Sequence, residues 1–215
     1  LERSLNRCYF DYDNDNEKKV FIGTIVISSL TFSSIFLFLL FIFSDFIGLI
    51  FKSIPFYPYY FFCLTTLYLS TLYNITIIYF RITEQSKKFV IMSMFYLLLN
   101  STLVIYFVVI LKNGAEGKLT GNLLANMVFI PISFIILRGN VIYKFNKKMF
   151  QNAIFYSLPI IPSLLAAFIT NISDRVFVEK ILDLSALGIY SMGYQIAGVI
   201  PILGAAFYGA YNPMF

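Results

Sequence analysis

The chain has 215 residues, 59% of them hydrophobic and only 13% charged, with a formal net charge of +5 and a mean hydropathy of +0.80. Soluble domains carry about 25% charged residues, so this composition leaves too little polar surface for a water-soluble fold of this length. With no histidine, His-based acid/base pairs, nucleophiles and metal sites are excluded, and Cys8 and Cys63 are too few and too far apart for a metal cluster or disulfide framework.

At the start of the chain, Arg7-Cys8-Tyr9-Phe10-Asp11-Tyr12 leads into a stretch where Asp11, Asp13 and Asp15 alternate with Tyr12 and Asn14. The alternation is like the first half of a calcium loop, but the sixth position is Asn16, not Gly, and the twelfth is Ile22, not a bidentate Glu. Two Asp-x-Asp triplets also match a pattern with which sugar-nucleotide transferases hold a metal. The simpler reading is an acidic, solvated lead into a helix, and no metal or cofactor is expected.

Uncharged runs follow at 20–43, 58–80, 89–111, 119–137, 153–173 and 185–209. A helix needs about 20 such residues to cross the hydrocarbon core. The sequence therefore predicts an all-α integral membrane protein with six transmembrane helices. Pro131 in the fourth run, Pro159 and Pro162 in the fifth, and Pro201 in the sixth predict loosened or kinked turns.

Basic residues alternate unevenly between the two sides of these spans. Arg3, Arg7, Lys18, Lys19, Arg81, Lys87, Lys88, Arg138, Lys144, Lys147 and Lys148 fall on the side of residue 1, against Lys52, Lys112, Lys118, Arg175 and Lys180 on the other. The positive-inside rule then places the residue 1 side in the cytoplasm. Excess positive charge of this kind belongs to membrane-flanking loops, and no nucleic-acid partner is expected.

Three spans carry polar faces at helical spacing. On the second, Thr66, Ser70, Tyr73 and Asn74 form one stripe; on the fifth, Ser163, Thr170 and Asp174 stack, with Asn171 at the edge; on the sixth, Ser191, Tyr194 and Gln195 share a side near Tyr190. One reading is interhelical hydrogen bonding, each bond contributing about 0.6 kcal/mol. The other is a wet lumen of hydroxyls, amides and aromatic rings suited to a sugar-bearing ligand. The sequons at Asn74, Asn100 and Asn171 lie within or at the ends of spans, where no glycan can be attached. Asp174 and Arg175, directly after the fifth run, are either a solvated turn or a functional pair. The planar fork of Arg175 suits a phosphate or diphosphate.

The fifth and sixth spans carry three ordered motifs: Tyr156-Ser157-Leu158-Pro159-Ile160-Ile161-Pro162-Ser163, Ser173-Asp174-Arg175-Val176-Phe177-Val178 and Leu187-Gly188-Ile189-Tyr190-Ser191-Met192-Gly193-Tyr194-Gln195-Ile196-Ala197, with Pro213 near the next loop. In this order the chain resembles the polysaccharide-biosynthesis (O-antigen, Wzx-type) flippases of the multidrug/oligosaccharidyl-lipid/polysaccharide exporter superfamily. The resemblance implies a two-lobed transporter of about 12–14 helices, of which this chain supplies helices three to eight. Residues 1–145 then belong to the N-terminal lobe, and residues 146–215 begin the C-terminal lobe. The start at Leu1 fits a piece of a longer protein.

The implied activity is translocation of undecaprenyl-diphosphate-linked oligosaccharide across the bacterial inner membrane by alternating access, with no covalent chemistry. Its partners are that lipid-linked oligosaccharide, membrane lipids and polysaccharide polymerase machinery. Arg175 is the expected anion contact, with Asp174 as its partner or a coupling-ion site. Asn171, Tyr190, Tyr194 and Gln195, with Tyr73 and Asn74 from the other lobe, are expected along the path. The alternatives are a cation-coupled drug or small-molecule exporter of the same superfamily and a membrane-embedded glycosyltransferase or polymerase.

Overall fold

The computed structural model describes residues 1–44, 56–198 and 200. Every described element is helical, as lipid demands of a chain that must pair its own backbone donors and acceptors. A short α1 (Glu2–Cys8) precedes α2 (Asp15–Ile42). Then come α3 (Phe61–Ile82), α4 (Ser86–Ile105), which Tyr106–Ile110 extends as a wider turn, and α5 (Gly114–Asn140). Finally there are α6 (Lys147–Ser157), α7 (Ile160–Ile181) and α8 (Leu184–Ala197). Among the described residues, five stretches are long and apolar enough to cross a membrane: Asp15–Ile42, Tyr57–Ile82, Ser86–Ile110, Gly114–Asn140 and Ile160–Ile181.

The first four predicted spans coincide with α2 to α5. The fifth is displaced: helix runs on through Asp174, Arg175, Glu179 and Lys180 to Ile181, while its expected start, Ala153, is fully buried in the separate α6. The prolines explain the break. Pro159 and Pro162 lack the N–H groups that would bond the carbonyls of Phe155 and Leu158, so the ladder stops at Leu158–Pro159. Of the predicted sixth span, the 14-residue α8 covers residues 185–197; the part beyond residue 200, with Pro201, lies outside the described residues, as does Pro213. Pro131 is held inside the continuous α5.

The chain packs as two compact units, Leu1–Leu158 and Pro159–Phe215. This is a division of packing within the chain, distinct from the lobe boundary expected at 145/146. In the first unit, Phe21, Ile22, Ile25 and Val26 of α2 form a core with Ile75, Tyr79 and Phe80 of α3 and Phe129 and Leu137 of α5. Leu5 and Cys8 of α1 and Met149 and Ala153 of α6 close it. Small residues bring α5 against the chain of α4: a Cβ at Gly121 would stand 2.9 Å from the Val104 amide nitrogen, and one at Gly117 would stand 2.8 Å from the Phe107 carbonyl oxygen.

Residues 141–146, between α5 and α6, cross the first turns of α2 as an extended strap. The Ile142 N–H donates to the Lys19 carbonyl at 3.2 Å, and the Asn146 N–H donates to Thr24 Oγ1 at 3.1 Å. The single Thr24 hydroxyl hydrogen is shared between the carbonyls of Val20 (2.8 Å) and Lys144 (3.2 Å). Gly23 permits this approach, since a side chain there would meet the backbone of Ile142. In the second unit, α7 and α8 pack on each other, and Asp183 caps α8 by accepting from the Ala186 N–H at 2.7 Å.

Candidate functional site

In the second unit the α7–α8 pair brings four of the singled-out side chains together. Tyr190 donates its hydroxyl to Asp174 Oδ2, and Asp174 Oδ1 accepts from the Arg175 N–H at 2.8 Å. The Arg175 guanidinium lies over the Tyr194 ring, 4.9 Å from its centroid. Tyr190 and Tyr194, one turn apart on α8, have ring centroids 6.3 Å apart. Asp174 is thus engaged with Tyr190, and among the described residues Arg175 forms no ion pair. Arg175 Nε is buried without a hydrogen-bond partner.

Magnitudes show what this arrangement leaves open. An arginine at the centre of a membrane helix costs about 2.5–3.5 kcal/mol, an upper bound for Arg175 in the last third of α7. A cation–π contact returns about 0.5–2 kcal/mol, depending on how dry it is. The balance is a cation whose fork still has donors to offer, beside a tyrosine pair held in place by a carboxylate. Such a site is suited to an anion attached to something that stacks on aromatic rings. Asn171, one turn before Arg175, donates its amide to the Ala167 carbonyl at 2.8 Å and is exposed, as is Gln195 on α8.

Tyr73 and Asn74 belong to the first unit, where they diverge. Tyr73 stacks on Tyr96 at 4.3 Å and meets Phe129 edge-on at 5.5 Å, whereas Asn74 is exposed. The polar stripe of α3 therefore splits, its tyrosine turned toward α4 and α5. The same cluster contains Asn126, which sequence reasoning missed. It is only 2% exposed and donates to Tyr96 Oη at 3.2 Å and to the Asn122 carbonyl at 2.8 Å, while its Oδ1 is buried without a partner. Its signal was a single amide inside the apolar run Leu123-Leu124-Ala125-Asn126-Met127-Val128-Phe129.

The acidic start of the chain is tied into local structure. Asp11 pairs with Arg7 at 2.6 Å, Asn14 caps α2 by accepting from the Asn16 N–H at 3.0 Å, and Asp15 lies in the first turn. Asp15 there opposes the positive end of the helix dipole. Among the described residues no group of three or more Cys, Asp or Glu side chains gathers to hold a metal.

Residues 12–206, spanning α2 to α8 and all four clustered side chains, match the family described as polysaccharide biosynthesis protein. The chain belongs to the polysaccharide biosynthesis protein family. Over 105 residues this family member is also 31% identical to the Lsg locus protein 1 of Haemophilus influenzae, an alignment covering 46% of the chain and 26% of that protein. The chain thus spans about a quarter of that curated relative's length. No solved structure matches this family member.

Proposed function

We propose that this polysaccharide biosynthesis protein, as part of a two-lobed transporter, moves undecaprenyl-diphosphate-linked oligosaccharide from the cytoplasmic to the periplasmic leaflet of the bacterial inner membrane. One observation carries the reading: Arg175 sits inside the apolar α7, without an ion-pair partner among the described residues, against the aromatic face of Tyr194. It lies six positions, about 9 Å of helix, before Ile181 and four positions before Glu179, the next charged residue. An interior cation is what a lipid-linked diphosphate requires, and the uncharged runs of the sequence did not supply one.

In this reading the Arg175 fork takes the diphosphate, and Tyr194 and Tyr190 present rings and a hydroxyl to the first sugars. Asp174 fixes the Tyr190 hydroxyl. Asn171 and Gln195 of the second unit lie further along the path. The isoprenoid stays in the bilayer, residue 1 faces the cytoplasm, and the two lobes alternate access without any covalent step. A second reading, cation-coupled export of a small molecule, draws on Asp174, an acidic group now inside a span.

The test is Arg175→Ala and Arg175→Lys in the complete protein, scoring translocation and membrane abundance together. A charge-assisted hydrogen bond contributes about 1.5–3 kcal/mol, so Arg175→Ala lowers translocation roughly 10- to 100-fold, and lysine recovers only part of it. Unchanged translocation at normal abundance removes Arg175 from the path. Ion-dependent export of a small cation that Asp174→Asn abolishes, with oligosaccharide crossing intact, favours the second reading.

A further inference from the structure

The first unit holds a cavity of about 410 Å³ between α3, α4 and α5, remote in sequence from the Arg175 cluster. Its volume falls in the range of small-molecule sites, about 300–1,000 Å³. The lining is polar at one end only. Lys88, Gln85 and Asn140 stand at the mouth, and Met92, Phe95 and Phe129 lie among the apolar side chains that form the rest. Along the helices, Phe95 is about 10 Å deeper than Lys88, and Phe129 about 16 Å deeper than Asn140.

The mouth is also a donor array without a carboxylate. Lys88 is exposed and forms no ion pair among the described residues. Gln85 uses one amide hydrogen on Thr83 Oγ1 at 2.9 Å, and Asn140 uses one on the Ile136 carbonyl at 2.8 Å. Each keeps a second hydrogen. Lys87 and Arg138 flank the same helix ends and Arg81 lies over the Phe89 ring at 5.4 Å, so this end holds four basic residues, Lys88 included, to one carboxylate, Glu84.

We propose that this cavity binds an anionic phospholipid of the bilayer, its phosphate at Lys88, Gln85 and Asn140 and one acyl chain running past Phe95 toward Phe129. The gradient from donors to hydrocarbon follows a phospholipid's own gradient from headgroup to chain. The end that carries Lys88 is the end at which the chain's basic residues accumulate, and anionic lipid is held by such juxtamembrane charge. Lys88 offers a compact ammonium that neutralises one phosphodiester charge, whereas the planar fork of Arg175 is the part suited to a diphosphate. The site does not depend on the cargo proposed for Arg175.

The experiment uses the complete protein, delipidated and titrated with dioleoyl-phosphatidylglycerol or dioleoyl-phosphatidylcholine under native mass spectrometry. A phosphatidylglycerol with a photoactivatable acyl chain then maps the site. The expected result is preferential binding of phosphatidylglycerol with adducts on α4 and α5 near Phe95 and Phe129. Lys88→Gln weakens that binding about fivefold, the effect of one basic residue at a lipid surface, and Lys88→Arg preserves it. Ile135→Trp, at a residue 71% exposed on the cavity wall and therefore tolerant of size, removes the adducts. Equal binding of the two lipids, adducts elsewhere, or phosphatidylglycerol binding that Lys88→Gln leaves unchanged would overturn the proposal. Displacement of phosphatidylglycerol by equimolar undecaprenyl diphosphate would overturn it too, and assign the cavity to the carrier.

Discussion

Gly23→Ala tests how the α5–α6 strap is anchored. The added methyl group would meet the Ile142 carbonyl, with the Ile142 carbonyl carbon at 2.9 Å and Tyr143 Cα at 3.3 Å. All of these are backbone atoms, so no side-chain rotation relieves the overlap. Overpacking of this kind costs about 1–3 kcal/mol. Lifting the strap instead breaks its three hydrogen bonds to Lys19 and Thr24, at about 0.5–1.5 kcal/mol each. Alanine in mid-helix returns about 1 kcal/mol over glycine. Because α2 stays helical whether the strap is open or closed, that gain cancels between the two states, and the overlap favours the open strap by about 1–3 kcal/mol, a roughly 5- to 150-fold rise in its population. Limited trypsin digestion of the complete protein reads this as faster cleavage after Lys144, because cleavage tracks the open population when opening is fast. Gly139→Ala on α5 is the control, since a methyl group there would have no neighbour within 4 Å. If Gly23→Ala left cleavage after Lys144 at the parent rate, the packing argument would be wrong.

Thr24→Val should open the same strap, because it strands the Asn146 N–H and Lys144 carbonyl at about 1–3 kcal/mol per unsatisfied group; thermal unfolding of the purified protein checks the direction. Tyr190→Phe and Asp174→Ala both remove the Tyr190–Asp174 hydrogen bond, so in a translocation assay the double variant should be no worse than the more impaired single. Additive losses would show that the two residues act separately. Asn126→Leu removes two hydrogen bonds of about 0.6 kcal/mol each together with an orphaned acceptor, so stability should change by no more than about 1 kcal/mol in a denaturation series. Burial, reinforced by Asp11 and partly offset by Arg7, pushes the Cys8 thiol above its ordinary value. The burial penalty on the thiolate is absent below the unfolded thiol's value and grows as pH rises past it. Maleimide labelling of Cys8 should thus lag a free thiol at pH 7–8 and accelerate only above about pH 8.5.

The spans were legible because lipid imposes a length and an apolarity that any uncharged run reveals. The displacement of the fifth was not, since a run of uncharged residues records composition while Pro159 and Pro162 decide where the hydrogen-bond ladder breaks. Asp174 and Arg175 thereby move from a span's edge into a helix. Helical spacing put Asp174, Tyr190 and Tyr194 on polar faces, but which side chain meets which depends on the packing of α7 on α8. That packing gave the carboxylate to Tyr190 and the guanidinium to Tyr194. The strap over Gly23 joins residues more than a hundred positions apart, and no local pattern marks it. Tyr73 and Asn74 share a stripe by spacing, yet the stacking of Tyr73 on Tyr96 separates them.

In the proposed reading the complete protein moves lipid-linked oligosaccharide between leaflets. Deleting its gene in the native host and quantifying that oligosaccharide on each face of the inner membrane tests the claim most directly. Complete oligosaccharide should accumulate on the cytoplasmic face, with little on the other. Oligosaccharide that crosses normally, or that is left incomplete, would contradict the account, the first pointing to a different cargo and the second to an enzyme.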